Sequence, residues 1–198
     1  MPIEVDESER LAEIADATVA VASERGTRAV TLRAVAERLG RSTAFITNFV
    51  PSRAHLMVNA LEHAQSHWRT ERAALLRDAT GIERLVAVAR WMCSTTPEDN
   101  VLRSLWVEVI GDVRGDTRLA YDVVREVTDA TYQEFVTSAE ATELDHPEYI
   151  ADILYLYCRG FHVKTVEDPE AWTDERVNAS LEVLLRALLG PRLDALAG

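Results

Sequence analysis

The apolar positions of this chain recur with the spacing of amphipathic helices. Near the N-terminus, residues three and four positions apart form one such face: Leu11, Ile14, Ala15, Thr18, Val21 and Ala22. Gly26 follows this pattern and predicts the end of the helix, because glycine adopts a left-handed conformation at little cost. No segment alternates apolar and polar residues with the period of a strand, so we expect no β-sheet.

Two short helices are predicted after Gly26. Thr31 is a good N-cap for the first, and Gly40 ends it after a few turns. Its apolar stripe consists of Leu32, Val35, Ala36 and Leu39. Ser42 can cap the second short helix, which runs to about Val50.

Longer helices are predicted in the rest of the chain. Pro51 interrupts the pattern, and Ser52 can cap a helix that starts at Arg53, reaches about Ala79 and ends at Gly81. Further helical patterns cover about residues 82–95, 99–110, 117–143, 148–166 and 174–189. The chain is therefore predicted to be all-α, with about nine helices.

The composition favours a folded, helical and cytoplasmic protein. Hydrophobic residues make up 47% of the sequence, whereas it contains only 8 glycines and 6 prolines. No apolar run approaches the roughly 18 residues of a membrane span, and the acidic N-terminus lacks the pattern of a signal peptide. We expect Cys93 and Cys158 to be reduced thiols in the core.

A local excess of arginine interrupts an otherwise acidic chain, whose formal net charge is −12. From Glu24 to His55 the acidic residues are Glu24 and Glu37 alone, which leaves this stretch with a net positive charge. Its arginines are Arg25, Arg28, Arg33, Arg38, Arg41 and Arg53. Because charges are screened beyond about 8–10 Å, such a patch can bind nucleic acid despite distant acidic residues. Counted by charge alone, it also fits an ordinary solvated helix surface.

The arrangement of the short helices is typical of a helix-turn-helix, in which the second helix enters the major groove of DNA. Ile46 and Val50 give that helix a packing face. Small or polar residues that can approach bases and phosphates occupy its start and opposite face: Ser42, Thr43, Ala44, Thr47 and Asn48. Phe49 can pack on a sugar or a thymine methyl group. Arg53 adds a positive charge at a helix N-terminus, which favours phosphate.

The segment ERGTRAVTLRAVAERLGRSTAFITNFVPSRAHL resembles the N-terminal domain of the tetracycline-repressor (TetR) family. The similarity covers roughly residues 8–60 without gaps. Position by position, it implies DNA contacts at Thr31, Ser42, Thr43, Ala44, Thr47, Asn48, Phe49 and Arg53. We add two arginines of the basic stretch, Arg33 and Arg41, to this set.

The chain also departs from the usual pattern of the family. TetR-family members commonly have tyrosine, histidine and phenylalanine where this sequence has Thr47, Phe49 and Val50, and more often lysine at Arg53. The variant FITNFVPSR is closer to the betaine-regulator-like branch. These differences concern the operator sequence and leave the expected fold unchanged.

The last two predicted helices resemble those of the same branch, which pair with their copies in a dimeric four-helix bundle. The residues of the last helix form one wide apolar stripe: Val177, Leu181, Val183, Leu184, Leu185, Leu188 and Leu189. Without the resemblance, a wide buried helix inside a monomer explains this stripe equally well.

Large aromatic residues beyond the N-terminal helices are candidates for an effector pocket: Trp91, Trp106, Tyr121, Tyr157 and Phe161. Each by itself is more simply a core residue. As a set, with Glu108 and His162 among them, they would suit a small amphipathic or cationic molecule. His63 and His67 have the spacing of metal ligands, but a structural zinc needs four ligands, so we expect no metal or cofactor.

The sequence therefore predicts a dimeric, ligand-responsive regulator with a DNA-binding domain at residues 1–52 and an effector and dimerisation domain at 53–198. The resemblance implies a repressor that a small-molecule effector releases from a palindromic operator. No catalytic motif supports an enzyme. Two alternatives stay open: an all-α binding protein or enzyme with an incidental helix-turn-helix, and a DNA-binding regulator that senses no ligand.

Overall fold

The computed structural model describes residues 7–94, 96–111 and 118–195, with the backbone alone at 97, 98, 118–124, 126 and 127. Throughout these ranges the regular structure is helical, which confirms the all-α prediction. The helices are α1 (Glu7–Arg25), α2 (Leu32–Leu39), α3 (Thr43–Thr47), α4 (Arg53–Leu75), α5 (Gly81–Cys93), α6 (Pro97–Gly111), α7 (Arg118–Glu140), α8 (Pro147–Glu167), α9 (Asp174–Leu189) and α10 (Pro191–Asp194), with a 3-10 turn at Thr27–Ala29.

Side-chain caps fix the two short helices α2 and α3. The Thr31 hydroxyl accepts a hydrogen bond from the amide of Ala34 at 3.0 Å, and the Ser42 hydroxyl accepts one from Phe45 at 3.2 Å. Gly40 has φ 63°, a left-handed conformation that costs glycine little. The capping residues expected from the sequence are thus confirmed.

The end of α4 differs from the prediction. This helix ends at Leu75 instead of near residue 79, and Gly81 begins α5 instead of ending α4. The carbonyl of Leu76 accepts a hydrogen bond from the Arg84 guanidinium at 2.8 Å, so a side chain from the next helix satisfies the end of α4. The apolar period of the sequence does not indicate a hydrogen bond such as this one, which joins two helices across a loop.

The chain divides into two compact units. The first comprises residues 1–68 and 97–126, and the second comprises residues 69–96 and 127–198. Helix α6 belongs to the first unit because it packs against α1 and the 3-10 turn. This division therefore differs from the expected boundary between residues 52 and 53. Across the described residues, no helix is both long and apolar enough to cross a membrane.

Each unit has its own hydrophobic core. The first is centred on Ile14, Val35, Ile46, Leu56 and Leu105. The second is centred on Leu85, Phe135, Leu154, Leu181 and Leu185. It also contains the free thiols of Cys93 and Cys158, buried as expected, with their sulfur atoms 3.6 Å apart. The hydrogen bond that Cys158 shares with Cys93 and the burial of its thiol raise the pKa of Cys158 well above its ordinary value.

Candidate nucleic-acid interface

Helix α3 presents one buried face and one exposed face. The helix ends at Thr47, before the predicted end near Val50. Ile46 within it and Val50 just after it are buried in the core of the first unit and hold the helix in place. The residues predicted to face DNA are all exposed: Ser42, Thr43, Ala44, Thr47 and Asn48. Thr31 and Arg33 of the preceding helix are exposed as well. The structure therefore gathers these polar side chains on a solvent-facing surface.

Hydrogen bonds within the helix engage part of this polar face. The Thr47 hydroxyl donates to the carbonyl of Ala44 at 3.1 Å, and the Ser42 hydroxyl acts as the N-cap. Within the described part of the chain, no hydrogen bond engages the side-chain amide of Asn48. That amide has a free donor and a free acceptor, the pair that matches the N6 and N7 atoms of adenine.

Two phenylalanines lie beside this surface. Phe49 is half-buried, and its ring centre lies 5.4 Å from that of Phe45. The guanidinium of Arg41 lies 5.2 Å from the centre of the Phe45 ring. Sequence reasoning had left out Phe45, although its position four residues after Arg41 is the signal that could have suggested the stacking.

Carboxylates compensate part of the arginine-rich stretch. Arg33 pairs with Glu37 at 2.9 Å, and Arg38 pairs with Glu24 at 2.6 Å. In the ranges that the structure describes, Arg41 has no carboxylate within ion-pair distance. A phosphate at Arg33 would compete with Glu37 for the guanidinium, whereas a phosphate at Arg41 would meet no such competing carboxylate.

Arg53 is turned toward the protein. Its Nε atom donates to the carbonyl of Val30 at 2.8 Å, and its Nη2 atom donates to the carbonyl of Thr27 at 3.0 Å. Nη2 also forms an ion pair with the carboxylate of Glu108 on α6. Two of its partners are backbone carbonyls, which carry no residue identity, so no sequence pattern could indicate this arrangement. Contact between Arg53 and phosphate stays a prediction.

The carboxylate of Glu108 is kept ionised by its surroundings. Burial acts to raise its pKa, but hydrogen bonds from Thr27 and Arg53, with the positive charges of Arg53 and Arg28, hold the pKa below its ordinary value. The sequence had grouped Glu108 with the aromatic effector candidates. In the structure its described partners belong instead to the N-terminal segment around α2, α3 and the start of α4.

The structure divides the aromatic candidates between the two units. Trp106 packs against the core of the first unit, whereas Trp91, Tyr157 and Phe161 pack in the second. The Trp91 ring already faces a cation, since the Arg72 guanidinium lies 5.6 Å from its centre. The side chain of Tyr121 lies outside the described residues.

In the second unit, the polar groups near these aromatic residues already have hydrogen-bond partners within the protein. The Tyr157 hydroxyl donates to the carbonyl of Val177 at 3.0 Å, and His162 forms a hydrogen bond with the carbonyl of Met92 at 2.8 Å. Among the described residues, no three histidine, cysteine, aspartate or glutamate side chains are grouped as metal ligands would be.

The amino-acid sequence is related to that of known repressors, although no family model matches it. The HTH-type transcriptional repressor KstR of Mycobacterium tuberculosis is 28% identical over 189 residues, which cover 92% of this chain and 81% of that protein. KstR of Mycolicibacterium smegmatis is 45% identical over 69 residues, or 34% of each chain.

Solved structures agree with this relationship. A structure described as a TetR-family transcriptional regulator from Rhodococcus sp. superposes with a TM-score of 0.74 at 19% identity, covering 92% of this chain and 100% of that one. The chain therefore has the TetR fold and is similar in sequence to HTH-type repressors. A transcriptional regulator from Saccharomonospora viridis, solved in complex with choline, shares the TetR fold with a TM-score of 0.76 at 18% identity and coverage of 90% and 96%.

These similarities bear on the functional classes that the sequence left open. The proteins that this chain resembles in sequence and in fold are transcriptional regulators. In the TetR fold, helices α1–α3 form the helix-turn-helix part, and the second helix of such a motif enters the major groove.

Proposed function

We propose that this chain is a transcriptional regulator of the TetR family: a cytoplasmic repressor that binds a palindromic operator as a homodimer and is released by a small-molecule effector. The observation that carries the proposal is the exposed polar face of α3, which is held in place by the buried side chains of Ile46 and Val50. The relatives named KstR are themselves repressors.

The proposed DNA interface has two kinds of contact. Thr43, Thr47 and Asn48 lie where base edges would be read, with Ser42, Ala44 and Phe49 beside them. Thr31, Arg33 and Arg41 lie where the sugar-phosphate backbone would pass, and contacts of that kind position the protein without reading sequence.

Exposed apolar side chains support dimerisation through α8 and α9. On α8, Tyr149, Ile153 and Leu156 follow one helical face, and Leu156 is 66% exposed. On α9, Val183 is 69% exposed. Large apolar side chains at such exposure are typical of a surface that a partner covers, and a two-fold interface matches a palindromic operator. We propose a second copy of this chain as that partner.

The proposed effector site lies in the second unit, near Trp91, Tyr157 and Phe161. These aromatic residues favour an amphipathic or cationic molecule, because a ring face attracts positive charge. The neighbour solved with choline is consistent with a cationic effector and with the betaine-regulator-like branch. Such an effector would act by its higher affinity for the conformation that binds DNA weakly.

The experiment that tests this function is salt-titrated binding of the purified protein to DNA. Footprinting on genomic DNA first locates the operator, and a scrambled duplex of equal length serves as the control. We expect specific binding to a two-fold symmetric site, with an affinity that falls as salt rises. Equal affinity for operator and scrambled DNA would overturn the proposal.

A further inference from the structure

Three donated hydrogen bonds tie Arg53 to two different parts of the first unit. The carbonyls of Thr27 and Val30 belong to the turn that immediately precedes α2, whereas the Glu108 carboxylate belongs to α6. A single guanidinium at the start of α4 thus links the turn that precedes α2 and α3 to α6, which follows much later in the sequence.

The turn at residues 27–30 depends on partners from outside itself. Gly26 begins it with φ 81° and supplies no side-chain cap. Its own backbone bonds, from Ala29 to Gly26 and from Val30 to Thr27, close the 3-10 turn. Arg53 supplies a donor to the carbonyl of Val30, whose side chain is buried. A buried carbonyl that loses its donor is costly, so the guanidinium stabilises this turn.

Glu108 fixes the guanidinium from the opposite side. Its carboxylate pairs with the same Nη2 atom of Arg53 that donates to the carbonyl of Thr27. The adjacent carboxylate also cancels much of the positive charge that a DNA phosphate would meet at Arg53. Both effects argue that Arg53 acts inside the protein.

We propose that Arg53 and Glu108 are positioning residues for DNA recognition, which fix the turn at residues 27–30 and thereby the placement of α2 and α3, and that Arg53 is not a phosphate contact. The turn leads directly into Thr31, the N-cap of α2, and α2 packs against α3. An error in the turn therefore shifts the surface that reads the operator. This inference rests on the proposed DNA-binding function.

The test compares three variants of the full-length protein: Arg53→Ala, Arg53→Lys and Glu108→Gln. Operator and scrambled-DNA affinities are measured by fluorescence anisotropy over a range of salt concentrations. A positioning role predicts that each variant weakens operator binding by roughly fivefold or more, with an unchanged salt slope and unchanged affinity for scrambled DNA. Lysine fails because one ammonium group cannot reproduce the fork of the guanidinium.

A phosphate contact predicts a different result. Arg53→Ala would then lower the salt slope by about one unit per subunit, Arg53→Lys would bind nearly as well as the wild type, and Glu108→Gln would bind equally or better. That combination would overturn the proposal. The double variant Arg53→Ala/Glu108→Gln completes a double-mutant cycle. We expect it to bind the operator no more weakly than Arg53→Ala alone. Losses of binding free energy that add up would contradict a shared role of the two residues.

Two controls separate this inference from the proposed function. Arg41→Ala should lower the salt slope, which shows that the assay detects a lost phosphate contact. If Arg41→Ala and Asn48→Ala are both silent, the DNA interface itself is wrong, whatever the result at Arg53. Should Arg53→Ala fold poorly, Glu108→Gln and Arg53→Lys still decide the question at a temperature well below their unfolding transitions.

Discussion

The exposed side chains of helix α3 differ in type from those of helices α8 and α9. In and next to α3 the exposed residues are small or polar, and the buried ones are Ile46 and Val50, so residue type alone indicates which face is outside. On α8 and α9 apolar residues occur on both faces, and Leu156 and Val183 are exposed whereas Leu154 and Leu185 are buried. A polar surface can therefore be recognised from sequence, but an apolar interface has to be located by packing.

The largest effect is expected on α9, whose wide apolar stripe includes Leu184 and Leu188. In the structure both are half-buried against the core of the second unit. Lysine at both positions should therefore destabilise the fold by about 2–5 kcal/mol or more, because it removes packing and buries charge. Chemical unfolding followed by circular dichroism measures this loss.

The matched control for that variant is Leu156→Lys with Val183→Lys, which alters exposed residues. We expect this protein to stay folded and to run as a monomer in sedimentation experiments, because the charges oppose burial against a second copy. A folded dimer from the control variant would show that α8 and α9 do not form the interface.

A smaller effect is expected from Asn48, which lies at the end of α3. Its side-chain amide has a donor and an acceptor that form no hydrogen bond within the described part of the chain. Replacing it with alanine should cost roughly 1–3 kcal/mol on the operator and relax the preference at a particular base pair. Affinity for scrambled DNA should not change. A uniform loss on all sequences would instead assign Asn48 to the phosphate backbone.

The arginines should differ in the salt dependence of binding. Arg41→Ala should reduce the salt slope by about one unit per subunit, and Arg33→Ala should reduce it less because Glu37 already pairs with Arg33. Arg77→Ala, at an exposed position in the second unit, serves as the control and should leave the slope unchanged. Arg72 is unsuitable as a control, because burial lowers its pKa and it lies beside Trp91.

The smallest effect concerns pH and the ion pair between Arg53 and Glu108. The pKa of Glu108 is lower in the folded protein than in the unfolded chain. Its contribution to stability is therefore fully present above the unfolded pKa and is lost as the pH falls through the folded pKa. The stability difference between wild type and Glu108→Gln, measured by urea unfolding, should shrink from neutral pH toward acid. A constant difference would contradict this account.

The sequence by itself determined the helical fold, the caps at Thr31 and Ser42, and the two faces of α3. These features depend on neighbouring residues and on the period of the helix, which a sequence displays directly. The resemblance to the TetR family also came from residues that the sequence shows. The comparisons support that family at the level of transcriptional regulators.

Only the tertiary structure decided where the partly buried charges and the exposed apolar surfaces lie. Arg53 and Glu108 are 55 residues apart in sequence, and the partners of Arg53 include backbone carbonyls that carry no residue identity. Likewise, α6 joins the first unit, and Trp106 is separated from the other aromatic candidates, because of contacts between distant segments. The helical period in the sequence determines which residues share a helix face. Which residues that face packs against depends on how helices distant in sequence come together.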